Sequence, residues 1–194
     1  MEEALIKKAV NRDAGAIEAL YDNYAPGLLT VCFRYCGNRN DAEDVLHDGF
    51  IKIIQHIHTF KIRSDGTIEA WMRRIMVNTA LNFLRKRLKE KYFVDIDPIL
   101  DKIDPYQEEI ADPEEIYLQV DRERIMQIIC DLPAGYRTVF NLYVFEQYGH
   151  KEIAELLGCS ENTSKSQLSK ARALLRKKMN QLVNIKLSPT YEKV

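Results

Sequence analysis

The chain lacks a long apolar run and the cysteine spacing of a disulfide or zinc framework. No apolar stretch among its 194 residues approaches the length of a membrane span, and Met1 leads into a charged, helix-like segment rather than a signal peptide. Of the four cysteines, Cys32 and Cys36 lie one helical turn apart, and no second pair follows. We therefore expect a cytoplasmic protein with buried, reduced thiols, and neither a disulfide nor a zinc site.

Proline is absent between positions 26 and 98, and three of the six prolines lie in the acidic stretch DIDPILDKIDPYQEEIADPEE. This stretch shows no sustained helical period, so we expect residues 92–120 to form a flexible acidic linker. Helical patterns precede and follow it. They predict an all-α protein with a domain at 1–91, a second at 121–180 and a tail at 181–194.

A net charge near zero hides three blocks of opposite charge. Residues 61–91 hold nine basic and three acidic side chains, and residues 150–178 hold seven and three. Residues 92–124, in contrast, hold three basic and eleven acidic side chains. Two basic blocks around an acidic one predict two separate nucleic-acid-binding surfaces.

The segment from His150 to Lys178 predicts a helix-turn-helix. The first helix has an apolar stripe at Ile153, Leu156 and Leu157, and the second repeats apolar residues at Leu168, Ala171 and Leu175. Between them, Gly158 tolerates the left-handed backbone that ends a helix, and the Ser160 hydroxyl is able to cap the next one. A polar, cationic second helix fits a DNA major groove. The alternative is an ordinary helical hairpin with a solvated, charged face.

A helix that opens near Asp41 has apolar residues around more of its circumference than one core requires. These positions are Val45, Leu46, Phe50, Ile53, Ile54 and Ile57. Either the helix is buried on several sides, or a partner helix docks on its outer face.

A further helix, from Ile68 to about Lys91, is the second candidate nucleic-acid surface. Its predicted core side consists of Ile68, Met72, Ile75, Thr79 and Phe83. Another side carries Trp71, Arg74, Asn78, Asn82 and Arg85, a mixture suited to phosphate contacts, base hydrogen bonds and stacking. The polar loop from Phe60 to Thr67 is suited to hold an extruded base. For Trp71, a core anchor is the alternative.

Three motifs, in order, resemble the sigma subunits of bacterial RNA polymerase. Residues 41–50 resemble the helix that binds core polymerase, and residues 71–87 resemble the helix that recognises the promoter −10 element. Residues 132–140, together with the helix-turn-helix, resemble the domain that reads the −35 element. Because only two of the family's domains are matched, the chain resembles the extracytoplasmic-function group.

The resemblance implies a non-enzymatic factor that binds core polymerase and directs promoter-specific initiation. It places polymerase docking on Asp44, His47, Asp48 and Ile51. It places recognition and melting of the −10 element on Phe60, Lys61, Arg63, Trp71, Arg74, Asn78, Asn82 and Arg85. It places reading of the −35 duplex on Lys165, Ser166, Ser169, Lys170, Arg172 and Arg176.

The resemblance also implies partners, and the chain departs from the family's usual residues at three positions. We expect core polymerase, promoter DNA and an anti-sigma factor as partners, no cofactor, metal or catalytic residue, and a monomer when free. The acidic linker is expected to thread the polymerase's nucleic-acid channel. Many members of the family carry Val where this chain has Ser164, which predicts slightly weaker packing under the second helix of the helix-turn-helix. Members of the family often have Arg where this chain has Gln167, and Gln where it has His47.

Two other classes of protein share parts of this pattern. A polymerase-independent helix-turn-helix regulator would bind a palindrome as a dimer, but the chain shows no dimerisation heptads. A recombinase would need carboxylates that converge on metal ions, whereas the dense acidic positions here lie in the predicted linker.

Overall fold

The computed structural model describes residues 2–61, 66–88 and 122–187, and the described residues contain helices and no strand. The chain divides into two compact units, Met1–Lys91 and Tyr92–Val194. The predicted all-α class is confirmed, with a helix-turn-helix in the second unit.

Some sequence predictions fall outside the described residues. These are the acidic linker at 92–120, the DNA-binding assignment of Arg63, the basic positions 89–91 and the part of the tail from 188 onward.

In the first unit, residues 2–61 and 66–88 form four helices and a short 3-10 turn. The helices are α1 (Glu2–Val10), α2 (Ala14–Cys36), α3 (Arg39–His56) and α4 (Ile68–Leu88), with the turn at Ile57–Thr59. The long helices α2, α3 and α4 all pack against one another, and α1 packs on α2 and on the 3-10 turn. The two candidate functional helices, α3 and α4, are therefore fixed by the same core.

The helix α3 begins at Arg39, two residues before the predicted start at Asp41. The capping residue is Asn38, whose side chain accepts a hydrogen bond of 2.9 Å from the Asp41 amide. Gly37 ends α2 just before it with a φ of 78°. The Asp41 carboxylate accepts a hydrogen bond from the Asn38 side-chain amide and forms an ion pair with Arg87 near the end of α4.

The buried side of α4 is wider than predicted. Ile68, Met72 and Thr79 are buried as expected, but Ile75 and Phe83 are only half-buried. Further buried positions are Met76, Val77, Ala80, Leu81 and Leu84. The prediction assumed one core-facing stripe, whereas α4 contacts both α2 and α3 and is covered on two sides.

Within residues 122–187, the part of the second unit that the structure describes, there are four helices and a π-helical turn. They are α5 (Arg122–Cys130), α6 (Ala134–Phe140), the turn Asn141–Phe145, α7 (His150–Leu157) and α8 (Glu161–Leu187). Leu132, Tyr136 and Ala171 form a core cluster that joins α6 to α8. The buried Arg137 donates to the Leu132 carbonyl oxygen at 3.1 Å, which secures the α5–α6 junction. Because α8 continues to Leu187, it extends into the segment that was predicted to be a tail.

The cysteines are free thiols. Cys32, Cys36 and Cys130 are buried, as predicted, and Cys159 is half-buried. Burial raises the pKa of the Cys32 thiol to about 12, so this side chain is protonated and behaves as a small apolar group.

Candidate nucleic-acid interface

The turn between α7 and α8 has the geometry that the sequence predicts. Gly158 ends α7 with a left-handed φ of 68°. The Ser160 hydroxyl oxygen then accepts a hydrogen bond of 3.0 Å from the Thr163 amide and so caps α8. Ile153 of α7 is fully buried, and this apolar side holds the two helices together. The helix-turn-helix is confirmed.

The second helix of this motif, α8, has distinct buried and exposed faces. Its buried positions are Ser164, Leu168 and Ala171, at the spacing of one helix side. The exposed side carries Lys165, Ser166, Ser169, Arg172 and Arg176, and Lys170 beside them is half-buried. Long cationic side chains next to short hydroxyls allow phosphate contacts without blocking approach to base edges in the groove.

Lys165 and Arg172 on α8 contact neighbouring side chains within the second unit. Lys165 forms an ion pair of 2.7 Å with Glu161, one turn earlier. The hydrogen bond from Lys165, and then its charge, lower the pKa of the Glu161 carboxyl group. The guanidinium carbon of Arg172 lies 5.5 Å from the centre of the Tyr143 ring, within the range of a cation–π contact.

Ser164 is fully buried under α8, and its hydroxyl oxygen lies 3.0 Å from His150 Nδ1 at the start of α7. The His150 ring stacks on Tyr143 with 4.7 Å between ring centres. The sequence predicted only weaker packing at Ser164, and it did not identify His150 or Tyr143. A polar residue at a core-facing position of α8 was the one available signal that a polar partner lay opposite.

Gln167, at the position where Arg is frequent in relatives, does not lie on the exposed face of α8. The residue is half-buried, and its side-chain amide packs close to the backbone of Gly135 at the start of α6. Gln167 therefore contacts the start of α6 within the second unit.

The candidate −10 surface of α4 is narrow and polar. Arg74, Asn78 and Asn82 are exposed and lie at successive four-residue intervals along one side. Arg85 is half-buried and donates a hydrogen bond of 2.9 Å to the Asn82 side-chain oxygen. This stripe offers cations for phosphates and amide groups for base edges.

Trp71 and Phe60 lie against the core rather than on this stripe. The half-buried Trp71 packs on a cluster formed by Ala9, Ala16, Leu20 and Ile57. Its ring centre is 5.5 Å from that of Phe60, which is itself 9% exposed. The core-anchor alternative for Trp71 thus agrees with its packing, and Phe60 is buried beside it. Lys61 beside it is exposed.

The candidate polymerase-binding residues form one exposed stripe on α3. Asp44, His47 and Asp48 are exposed, and Ile51 on the same side is 54% exposed. Most of the other apolar positions of this helix are buried: Val45, Leu46, Phe50, Ile53 and Ile57, with Ile54 half-buried. Burial on several sides therefore accounts for the wide apolar surface of α3, and Ile51 is its outward apolar residue.

Among the described residues, no group of three or more His, Cys, Asp or Glu side chains is placed to hold a metal ion. Within the same residues, no helix combines the length and the apolar character that a membrane crossing requires.

Comparisons with known proteins match both units. The Sigma-70 region 2 family model matches residues 20–90, and the Sigma-70 region 4 model matches residues 122–175. The chain is 31% identical over 189 residues to the ECF RNA polymerase sigma-E factor of Haemophilus influenzae, which covers 94% of this chain and 97% of that protein. It is 29% identical over 189 residues to ECF RNA polymerase sigma factor SigW of Bacillus subtilis, covering 93% and 100% of the two chains.

A solved structure is also similar: the sigma factor RpoE of Bartonella quintana, in complex with the anti-sigma factor NepR, has a TM-score of 0.48 and 21% identity. That likeness covers 89% of this chain and 98% of the other. The identity to the Haemophilus protein, over nearly the full length of both chains, decides the family. The chain belongs to the extracytoplasmic-function sigma factors, the non-catalytic initiation factors that bind core RNA polymerase and direct it to promoters.

Proposed function

We propose that the exposed stripe of α3, formed by Asp44, His47, Asp48 and Ile51, is the surface that docks on core polymerase. The observation that carries this assignment is the separation of the two sides of α3. One side is buried in the first unit, while the stripe presents two carboxylates around an apolar side chain that is 54% exposed. A partner that covers Ile51 and places basic groups opposite Asp44 and Asp48 fits this surface.

The exposed side of α4 recognises and holds the melted −10 strand in this proposal. Arg74 supplies charge for the backbone, and Asn78 and Asn82 supply hydrogen-bonding groups for unpaired bases. Trp71 and Phe60 support this surface from below, because their rings pack on each other and on the core. Capture of unstacked bases offsets the few kcal/mol that unstacking costs.

The exposed face of α8 reads the −35 duplex. Ser166 and Ser169 are short enough to allow close approach to base edges. Lys165, Lys170, Arg172 and Arg176 contact phosphates and fix the register of the helix in the groove.

The wider assignments follow from the family. The chain has no enzymatic activity or cofactor of its own and acts in the cytoplasm, where polymerase and promoters are found. Free of polymerase it is a monomer. An anti-sigma factor restrains it, as NepR pairs with the Bartonella sigma factor. The segment at 92–120 links two domains at 1–91 and 121–180, and its acidic composition suits a basic nucleic-acid channel.

Transcription reconstituted with purified core polymerase tests this function. Promoters are first mapped from the 5′ ends of transcripts that appear when the chain is overproduced. The proposal predicts start-site-specific transcripts and DNA protection only when chain and core are both present. Protection by the chain alone would identify a polymerase-independent regulator, and cleavage of the DNA in Mg²⁺ would identify an enzyme.

A further inference from the structure

Tyr143 in the π-helical turn makes two contacts, one with α7 and one with α8. The Arg172 guanidinium lies 5.5 Å from its ring centre. The imidazole of His150 stacks on Tyr143 with a ring separation of 4.7 Å and an angle of 26° between the ring planes. An exposed cation of the DNA-reading helix thus contacts an aromatic ring that is supported from within the same unit.

The support for Tyr143 is itself fixed by a hydrogen bond. His150 Nδ1 lies 3.0 Å from the hydroxyl oxygen of Ser164, and Ser164 is fully buried. A buried hydroxyl has a strong preference for a partner, so this bond fixes the orientation of the imidazole. The orientation of the imidazole in turn restricts the position of the Tyr143 ring that stacks on it.

We propose that Tyr143 is a positioning residue for −35 binding, which holds the Arg172 guanidinium ready for its phosphate contact. This inference rests on the proposed role of Arg172 on α8. His150 and Ser164 act indirectly, by holding the Tyr143 ring in place. None of these three residues needs to touch DNA for this role.

The physical advantage is pre-organisation. A free arginine side chain populates many rotamers, and their loss upon binding opposes association. A guanidinium that already rests on an aromatic face has lost part of this freedom in the unbound protein. Its outer N–H groups still point to solvent-accessible space, since Arg172 is exposed, and remain able to donate to a phosphate.

Promoter affinity and its salt dependence, measured with and without the Arg172 side chain, separate this role from a purely structural one. Holoenzyme made with each full-length variant is titrated onto one mapped promoter fragment at several salt concentrations. Loss of one phosphate contact makes the plot of log K against log salt shallower by about 0.9. Reduced stability of the fold lowers the fraction of active protein without changing this slope.

We expect Arg172→Ala to give a shallower slope by about 0.9. Tyr143→Leu should lower promoter affinity at an unchanged slope, because the guanidinium still reaches the phosphate but has to be ordered upon binding. In the Arg172→Ala background, Tyr143→Leu should cause no further loss of affinity, whereas a purely structural defect would lower the affinity there as well. Tyr143→Phe retains the ring and should keep the wild-type affinity and slope. Should Tyr143→Leu fail to fold, as judged by circular dichroism, Tyr143→Met takes its place because its unbranched, flexible side chain fills an irregular gap more readily.

Two results would overturn the inference, and they differ in meaning. A shallower slope for Arg172→Ala, together with a Tyr143→Leu affinity that is unchanged or that falls equally in the Arg172→Ala background, would leave Arg172 as a phosphate contact and remove the role of Tyr143. An unchanged slope for Arg172→Ala would instead show that the proposed phosphate contact is wrong, and the inference would fail with it.

Discussion

Gly49 of α3 lies directly against Met76 of α4, so closely that a Cβ atom at position 49 would overlap the methionine sulfur. Met76 is fully buried, and its sulfur is also 4.0 Å from the thiol of Cys32 on α2. The three long helices of the first unit therefore meet at one tightly packed point. This contact sets the distance between α3 and α4, and with it the position of their exposed faces relative to each other.

Gly49→Ala should destabilise the protein by about 1–3 kcal/mol, because an extra methyl group overpacks the α3–α4 contact. The matched control is Gly27→Ala in α2, where an added Cβ meets nothing within 4 Å. That variant should be stabilised by about 0.4–1 kcal/mol, because alanine loses less backbone entropy in a helix. Denaturant unfolding measures both; equal effects of the two substitutions would show that the contact with Met76 carries no packing constraint.

Asp48→Arg should weaken association with core polymerase while leaving the fold intact, since Asp48 is exposed on the docking stripe of α3. The charge reversal places a cation where the proposal requires basic groups on the partner. Asp22→Arg, an equal charge change at an exposed position of α2, is the control and should bind normally. Pull-down with core polymerase and circular dichroism check this prediction. Normal binding by a folded Asp48→Arg protein would contradict the assigned face.

Helical periodicity and turn chemistry were sufficient to predict the helix-turn-helix. Gly158 and Ser160 act locally, and their roles follow from the conformations that these residue types favour. The start of α3 was misplaced because Asn38, which lies before the expected boundary, is an equally good cap.

The candidate sites, too, contain features that the sequence predicts and features that it does not. Exposed stripes such as that of α3 follow from spacing along one helix, which the sequence displays directly. The burial of Phe60 and the contacts of Tyr143 with His150 and Arg172 depend on how separate elements meet. A single sequence contains no periodic signal for such contacts, so only the three-dimensional arrangement identifies them.

The His150–Ser164 hydrogen bond should contribute a measurable coupling to stability. His150→Ala leaves the fully buried Ser164 hydroxyl without this partner and should cost about 1–3 kcal/mol. In a Ser164→Ala background the same change should cost less, with a coupling of about 0.5–1.5 kcal/mol. Thermal unfolding of the four proteins in the cycle measures this coupling, and strictly additive effects would argue against the bond.

The Tyr24–Glu2 contact should make stability sensitive to alkaline pH. Burial, followed by the 2.6 Å hydrogen bond to Glu2, raises the pKa of Tyr24 from 10.0 to about 12. Because the folded state holds this proton more tightly than the unfolded state, the stabilisation is complete below pH 10 and is lost as the pH rises toward 12. The stability difference between wild type and Tyr24→Phe should therefore shrink across this range in thermal unfolding experiments. A constant difference would contradict the raised pKa.

The most direct measurement of the central claim compares binding and melting of one mapped promoter by holoenzymes that carry Arg176→Ala or Asn78→Ala. Arg176 is exposed on α8 and Asn78 is exposed on α4, so each substitution removes one side chain from one proposed DNA surface. Gel shifts report closed-complex binding, and permanganate reactivity of unpaired thymines reports melting. Arg176→Ala should weaken binding and reduce its salt dependence, whereas Asn78→Ala should bind normally and lose about 1–3 kcal/mol in opening. Equal losses in both assays for both variants would contradict the division of labour between α4 and α8.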